Sequence, residues 1–180
     1  MAQTTETQKV APGAADLSSL KGFVTVDLWR PDPKGVLELI EREEIENLVT
    51  QVGDQYYGER GAGLGSLGIA TCMKLGTGVT AASKTAAGAG IVTYITGSNS
   101  VFSPAVSSSL NGASRRISYA TTWAAGIATN SAITEAVIAI TNANATSLAA
   151  DCIARVVFTA KDKQALDTLT ITWNHDLLGA

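Results

Sequence analysis

The sequence has 180 residues and a formal net charge of −3; 46% of its residues are hydrophobic and only 16% are charged. A chain of this length can form one domain with a substantial core. Soluble domains typically carry about 25% charged residues, so much of this surface must consist of Ala, Thr, Ser and Gly. Such a surface suits a protein that packs against neighbours better than a solitary soluble enzyme.

Several classes of protein are disfavoured by the composition. The apolar runs are interrupted well before the roughly 20 residues that a membrane helix needs, and residues 1–19 lack the pattern of a secretion signal. Nucleic-acid binding requires clustered cations, whereas Arg115 and Arg116 form the longest basic run. Cys72 and Cys152 lie too far apart for a metal knuckle, and we expect core thiols rather than a disulfide.

The beginning of the chain predicts an arm followed by a β-hairpin. Residues 1–20 are rich in Thr, Ala and Gln, which predicts an extended N-terminal arm held by a neighbouring chain. Residues 21–180 form the predicted β domain. Apolar and polar residues alternate in GFVTVDLW, RPDPKG predicts a turn, and VLELI returns as the second strand. Helical spacing of apolar residues then predicts a helix over roughly 46–60.

The remaining chain predicts further strands. One strand is expected at about 68–75, and another is conceivable at IVTYI within an Ala/Ser/Gly/Thr-rich region that extends to about 112. Four more are expected in RRISYATTWAA, AITEAVIAIT, CIARVVFTA and DTLTITW. In the last of these, Leu169, Ile171 and Trp173 alternate with threonines. The predicted fold is mainly β: an antiparallel, jelly-roll-like β-sandwich with one short helix.

The stretch LGTGVTAASKT resembles two phosphate-binding signatures, but the surrounding sequence argues against a nucleotide site. A phosphate loop must open a helix, whereas TAAGAGIVTYITG favours non-helical structure. The chain also has no acidic residue between Glu59 and Glu135 to bind a ribose or a magnesium ion. We therefore interpret Gly76 and Gly78 as turn glycines that need positive φ or a close backbone approach.

No catalytic, metal-binding or cofactor-binding residue is predicted. His175 is the only histidine, and a structural or interface role is favoured over that of a catalytic base. Glu135 stands alone in an apolar strand, which predicts a buried or interface salt bridge. Its candidate partners are Arg115, Arg116 and Arg155, and we select Arg155.

Four segments occur in an order that resembles a module of tailed-bacteriophage virion proteins: ENLVTQVGDQYY, KLGTGVTAASKT, SAITEAVIAIT and CIARVVFTAKDKQALDTLTITW. The resemblance covers about residues 22–176. It implies a non-enzymatic structural component of the virion, assembled in the host bacterial cytoplasm. Such a protein would form homo-oligomers and bind capsid, portal, neck, collar or tail subunits, without a cofactor, nucleic acid or membrane.

The C-terminal segment departs from the pattern of these virion proteins. Asn174, His175 and Asp176 stand where the family has apolar residues. We therefore expect this edge to meet a partner, and we include Arg115 and Arg116 in the candidate interface.

Two other functions remain open at this point. A receptor- or glycan-binding module of a phage tail or head fibre could use aromatic side chains to stack on sugars, although Trp29, Trp123 and Trp173 are more typical of a core. A soluble enzyme is the least favoured alternative, because the middle of the chain lacks carboxylates.

Overall fold

The computed structural model describes residues 20–112 and 114–177, so the predicted arm lies outside the described residues except for Leu20. The described chain contains nine β-strands, one α-helix and two short 3-10 helices. The strands are β1 (Lys21–Pro31), β2 (Leu37–Val49), β3 (Cys72–Gly76), β4 (Ser100–Val101), β5 (Ser107–Asn111), β6 (Ser114–Trp123), β7 (Asn130–Ala139), β8 (Cys152–Lys163) and β9 (Thr168–Leu177), and the helix is α1 (Gln51–Gly61).

All nine strands belong to one antiparallel sheet in the order β4-β3-β7-β8-β2-β1-β9-β6-β5. β2 connects its two halves, because it pairs with β1 along its length but with β8 only at Leu48 and Val49. The sheet curls, and the Ser103 N–H beyond β4 donates to the Ala120 carbonyl of β6. The expected mainly β, antiparallel fold with one short helix is confirmed; its jelly-roll form is not.

Side chains from both halves of the sheet pack into one core. Its largest members, Trp123 of β6 and Trp173 of β9, are fully buried. β9 follows the expected alternation, with Leu169, Ile171 and Trp173 inside and the intervening threonines half-buried. A period of two therefore determined correctly which face of this strand contributes to the core.

The helix begins later than its sequence pattern predicts. Residues 46–49 extend β2, because β1 and β8 pair with them on opposite edges. The Thr50 hydroxyl then accepts the Gly53 N–H at 3.0 Å, which is a typical N-cap contact. Backbone pairing with distant strands has here overridden the local helical spacing of apolar residues.

Loops 77–99 and 140–151 cover the outer face of β3, β7 and β8. Ile91 and Tyr94 pack there against Val137 and Cys152, and the Ile91 N–H donates to the Ser147 carbonyl. The conceivable strand at IVTYI is absent apart from one isolated bridge at Tyr94, whereas β4 and β5 were not predicted. β3 and the adjoining parts of β7 and β8 are therefore buried on both faces.

Both cysteines are free and buried, as expected. Cys72 and Cys152 lie on either side of Ala139 in the sheet, and burial raises the pKa of Cys152 to about 12. Among the described residues, no helix has the length and apolar character needed to cross a membrane.

Candidate functional site

Glu135 and Arg155 form the most deeply buried ion pair of the described chain. The Glu135 Oε2 atom accepts from Arg155 Nη2 at 2.8 Å and from Nε at 3.0 Å, and neither side chain is exposed to solvent. The strands hold them together, since β7 lies beside β8 and pairs Glu135 with Val157, two residues beyond Arg155. The predicted salt bridge between these two residues is confirmed.

The second carboxylate oxygen of Glu135 receives backbone amides from the covering loop. Oε1 accepts the N–H groups of Gly78 at 2.9 Å, Val92 at 3.1 Å and Thr93 at 2.8 Å. Arg155 extends the contact by donating from Nη1 to the Gly88 carbonyl at 3.2 Å. The amides after β3 therefore converge on an anion, but this anion is the protein's own carboxylate, and no α-helix follows the loop.

Glycine is needed at positions 76 and 78 because other atoms approach the backbone closely, and not because φ is positive. Neither glycine has positive φ, so that part of the expectation is wrong. A Cβ atom on Gly78 would lie 2.5 Å from Glu135 Oε1 and 2.6 Å from Val92 Cβ, and one on Gly76 would lie 2.5 Å from the Thr93 carbonyl oxygen. The predicted tight approach is confirmed, and Glu135 is the group that approaches.

His175 belongs to the interior and not to an interface. Its side chain is fully buried, with Nδ1 2.6 Å from the Tyr57 hydroxyl and Nε2 3.3 Å from Asn47 Nδ2. The Tyr57 hydroxyl lies 2.9 Å from that of Tyr119. The interface prediction for this side chain is corrected, because β9 turns the ring inward on the same face as Trp173. The network ties α1 to β2, β6 and β9.

Burial of His175 makes stability depend on pH. Desolvation lowers its pKa from 6.5 to about 3, so the unfolded chain binds a proton below pH 6.5 that the folded chain cannot bind until about pH 3. Stability is thus lost as the pH falls through this window, by about 2 kcal/mol at pH 5. Urea unfolding at pH 8 and pH 5 should show this loss in the wild type and a smaller one in His175→Gln.

The other candidate interface residues divide into paired and exposed side chains. Asp176 accepts two hydrogen bonds from Arg116 at 2.8 Å, and these bonds hold the pKa of its carboxyl below the usual value. Asn174 accepts from the Ser118 hydroxyl at 2.6 Å on the outer face of β9. Arg115 is exposed. The candidate interface residues therefore lie at neighbouring positions of β6 and β9. Arg116 and Asp176, however, form a salt bridge with each other.

Three features of the described residues bear on metal binding, ligand binding and sugar stacking. No group of three His, Cys, Asp or Glu side chains among them could hold a metal ion. The cleft between β2, β8 and the covering loop has a volume of about 540 Å³, but Glu46 and the already paired Arg155 are its only charged lining residues. Trp123 and Trp173 are buried and cannot stack on a sugar, whereas Trp29 is only half-buried and does not belong to the core.

Exposed apolar side chains form a different feature of the surface. They include Val36, Leu37, Leu39 and Ile40, which follow closely in the chain at the tip of the β1–β2 hairpin and are each at least 40% exposed. Exposed apolar groups that lie together are typical of contact surfaces between proteins. We call these four residues the hairpin patch.

No family model, curated protein or solved structure matches this chain. The family suggested by its four sequence segments therefore remains an expectation.

Proposed function

We propose that this protein is a non-enzymatic structural component of a tailed-bacteriophage virion. It oligomerises and binds neighbouring capsid, neck, collar or tail subunits, and so stabilises the particle. One observation supports this proposal best. The buried carboxylate, the histidine and the two thiols are all taken up by internal contacts, whereas the surface exposes apolar side chains in the hairpin patch.

The internal contacts leave few groups free for chemistry. Glu135 is engaged by a guanidinium and three backbone amides, and His175 is enclosed by aromatic rings that keep it neutral at physiological pH. Both cysteines are buried as protonated thiols. A general base or nucleophile needs access to a substrate, and these groups have none.

The surface offers contacts to other proteins. The hairpin patch exposes four apolar side chains, and β5 exposes five consecutive uncharged residues. Burial of apolar area stabilises association by roughly 25 cal/mol per Å² before the entropic costs are subtracted. A virion subunit gains from such surfaces because each of them is covered in the assembled particle.

Mass spectrometry of particles purified from lysates of the host bacterium tests this proposal. We expect the protein in many copies per particle, at a fixed ratio to the major capsid or tail subunit. Its absence from washed, mature particles would contradict the proposal. A parallel glycan screen with the purified protein should give no binding, and a specific sugar would favour the receptor-binding alternative instead.

A further inference from the structure

β5 is an unprotected edge of the sheet. It pairs with β6 on one side and with no described strand on the other. All residues of Ser107–Asn111 are exposed, and the strand contains no charge, proline or register shift. Natural edge strands normally contain a charged residue, a proline or a β-bulge, each of which hinders pairing with another chain.

The other edges of the described sheet are protected, including the part of β8 beyond Arg155, which carries Lys161, Asp162 and Lys163. β4 has only two residues, and Ser103 beyond it is joined to β6 by a backbone hydrogen bond. The segment of β2 that lacks β8 has a register shift opposite Leu28 and Trp29 and carries several glutamates. β5 is therefore the edge best suited to accept a further strand.

The sequence at this edge is self-complementary in an antiparallel pairing. Val106 immediately precedes β5, and the five residues from Val106 to Leu110 read VSSSL. If two copies pair about a two-fold axis at Ser108, each Leu110 lies opposite Val106 of the other copy. Leu110 is 75% exposed and Val106 is 43% exposed, so each gains an apolar cross-strand neighbour while serine faces serine.

We propose that β5 is a homodimer interface, in which the β5 strands of two copies pair antiparallel about a two-fold axis at Ser108. The partner is a second copy of this chain, because the sequence VSSSL is complementary to itself in an antiparallel pairing. A two-fold contact between identical chains requires such self-complementarity. Each sheet then continues into the other. This inference specifies the self-association on which the proposed function relies.

Charge does not oppose this pairing. Arg115, opposite Leu110 on β6, is the exposed cation nearest the edge. In the dimer, the two copies of Arg115 are separated across the sheet by three strand spacings of about 4.8 Å each, or roughly 14 Å, and they are also offset by four residues along the strands. This distance exceeds the Debye length of about 8 Å at physiological ionic strength. Arg116 is already neutralised by Asp176.

Charge substitutions at the two-fold position provide the test. In Ser108→Lys or Ser108→Glu, like charges lie directly opposite each other in the dimer, and we expect the dissociation constant to rise on the order of tenfold or more. An equimolar mixture of the two variants should form a heterodimer, because Lys then faces Glu. Sedimentation velocity and native mass spectrometry measure both effects. Ser131→Lys, at an exposed position of β7, is the matched control and should dimerise like the wild type.

Three results would overturn the inference. One is a wild-type chain that stays monomeric throughout a dilution series reaching about 1 mM, where even a weak dimer forms. Another is association that neither Ser108 variant weakens. The third is association that deletion of residues 2–19 abolishes while the Ser108 variants leave it unchanged. If the protein is present in particles but fails this test, only the β5 interface is refuted; if it dimerises but is absent from particles, only the virion assignment fails.

Discussion

Replacing Glu135 by Gln should destabilise the protein by about 3–5 kcal/mol, the usual loss when one partner of a buried ion pair is removed. The variant keeps the side-chain volume but leaves the Arg155 guanidinium buried without a carboxylate. It also weakens the acceptor shared by Gly78, Val92 and Thr93. Urea unfolding, followed by tryptophan fluorescence and circular dichroism, measures the change.

An exposed ion pair provides the control for this experiment. Lys84 and Asp54 are 2.7 Å apart, and both side chains are 51% exposed. Lys84→Gln should therefore cost less than about 1 kcal/mol. A loss of the same small size in Glu135→Gln would contradict the structural role that we assign to the buried pair.

A double substitution distinguishes the ion pair from the loop contacts. Glu135→Leu with Arg155→Met removes both charges, an exchange that is often neutral for an isolated buried pair. Here the loop amides would lose their acceptor as well, so the double variant should remain less stable than the wild type. Amide exchange in loop 77–99 should also accelerate. Wild-type stability in the double variant would show that the amides contribute little.

Gly76→Ala should destabilise the protein by about 2–3 kcal/mol, a typical cost of overpacking. The added Cβ would meet the Thr93 carbonyl oxygen at 2.5 Å as well as the Glu135 carboxylate. The first of these is a backbone atom, which cannot rotate away. Thermal and urea unfolding of the variant test the expectation.

Gly58→Ala is the matched control for Gly76→Ala. Gly58 lies within α1, and nothing comes within 4 Å of its added Cβ. Alanine favours a helix over glycine by about 1 kcal/mol, so this variant should be more stable than the wild type. If both alanine variants shift stability in the same direction, the close approach at Gly76 is not the reason that glycine is needed there.

The sequence led to Glu135 and Arg155 because a lone carboxylate in an apolar strand requires a partner. It did not reveal that Gly78, Val92 and Thr93 share the same carboxylate. These residues are 57, 43 and 42 positions from Glu135, and nothing in their own side chains marks a backbone amide as a ligand. The sequence did predict a close approach at Gly76 and Gly78. Only the fold shows that the approaching group is the Glu135 carboxylate.

The surroundings of His175 were likewise not predicted from the sequence. Its adjacent polar neighbours Asn174 and Asp176 suggested an exposed, partner-binding edge. Strand alternation separates His175 from them and places it on the same face as Trp173, but Tyr57 and Tyr119, which surround the buried ring, are brought there by α1 and β6. The edge strand β5 was likewise hidden, because a serine-rich segment has little intrinsic preference for a strand until β6 supplies its hydrogen bonds.

By itself, the sequence determined the mainly β class, the β1–β2 hairpin, the inward face of β9 and the need of Glu135 for a basic partner. These follow from alternation, turn residues and the cost of burying a charge, which act locally or through residue type. The tertiary structure alone decided where β2 ends and α1 begins, which amides surround Glu135, which side chains contact His175 and that β5 is an open edge. Those features depend on hydrogen bonds and packing between distant segments, and no local pattern encodes them.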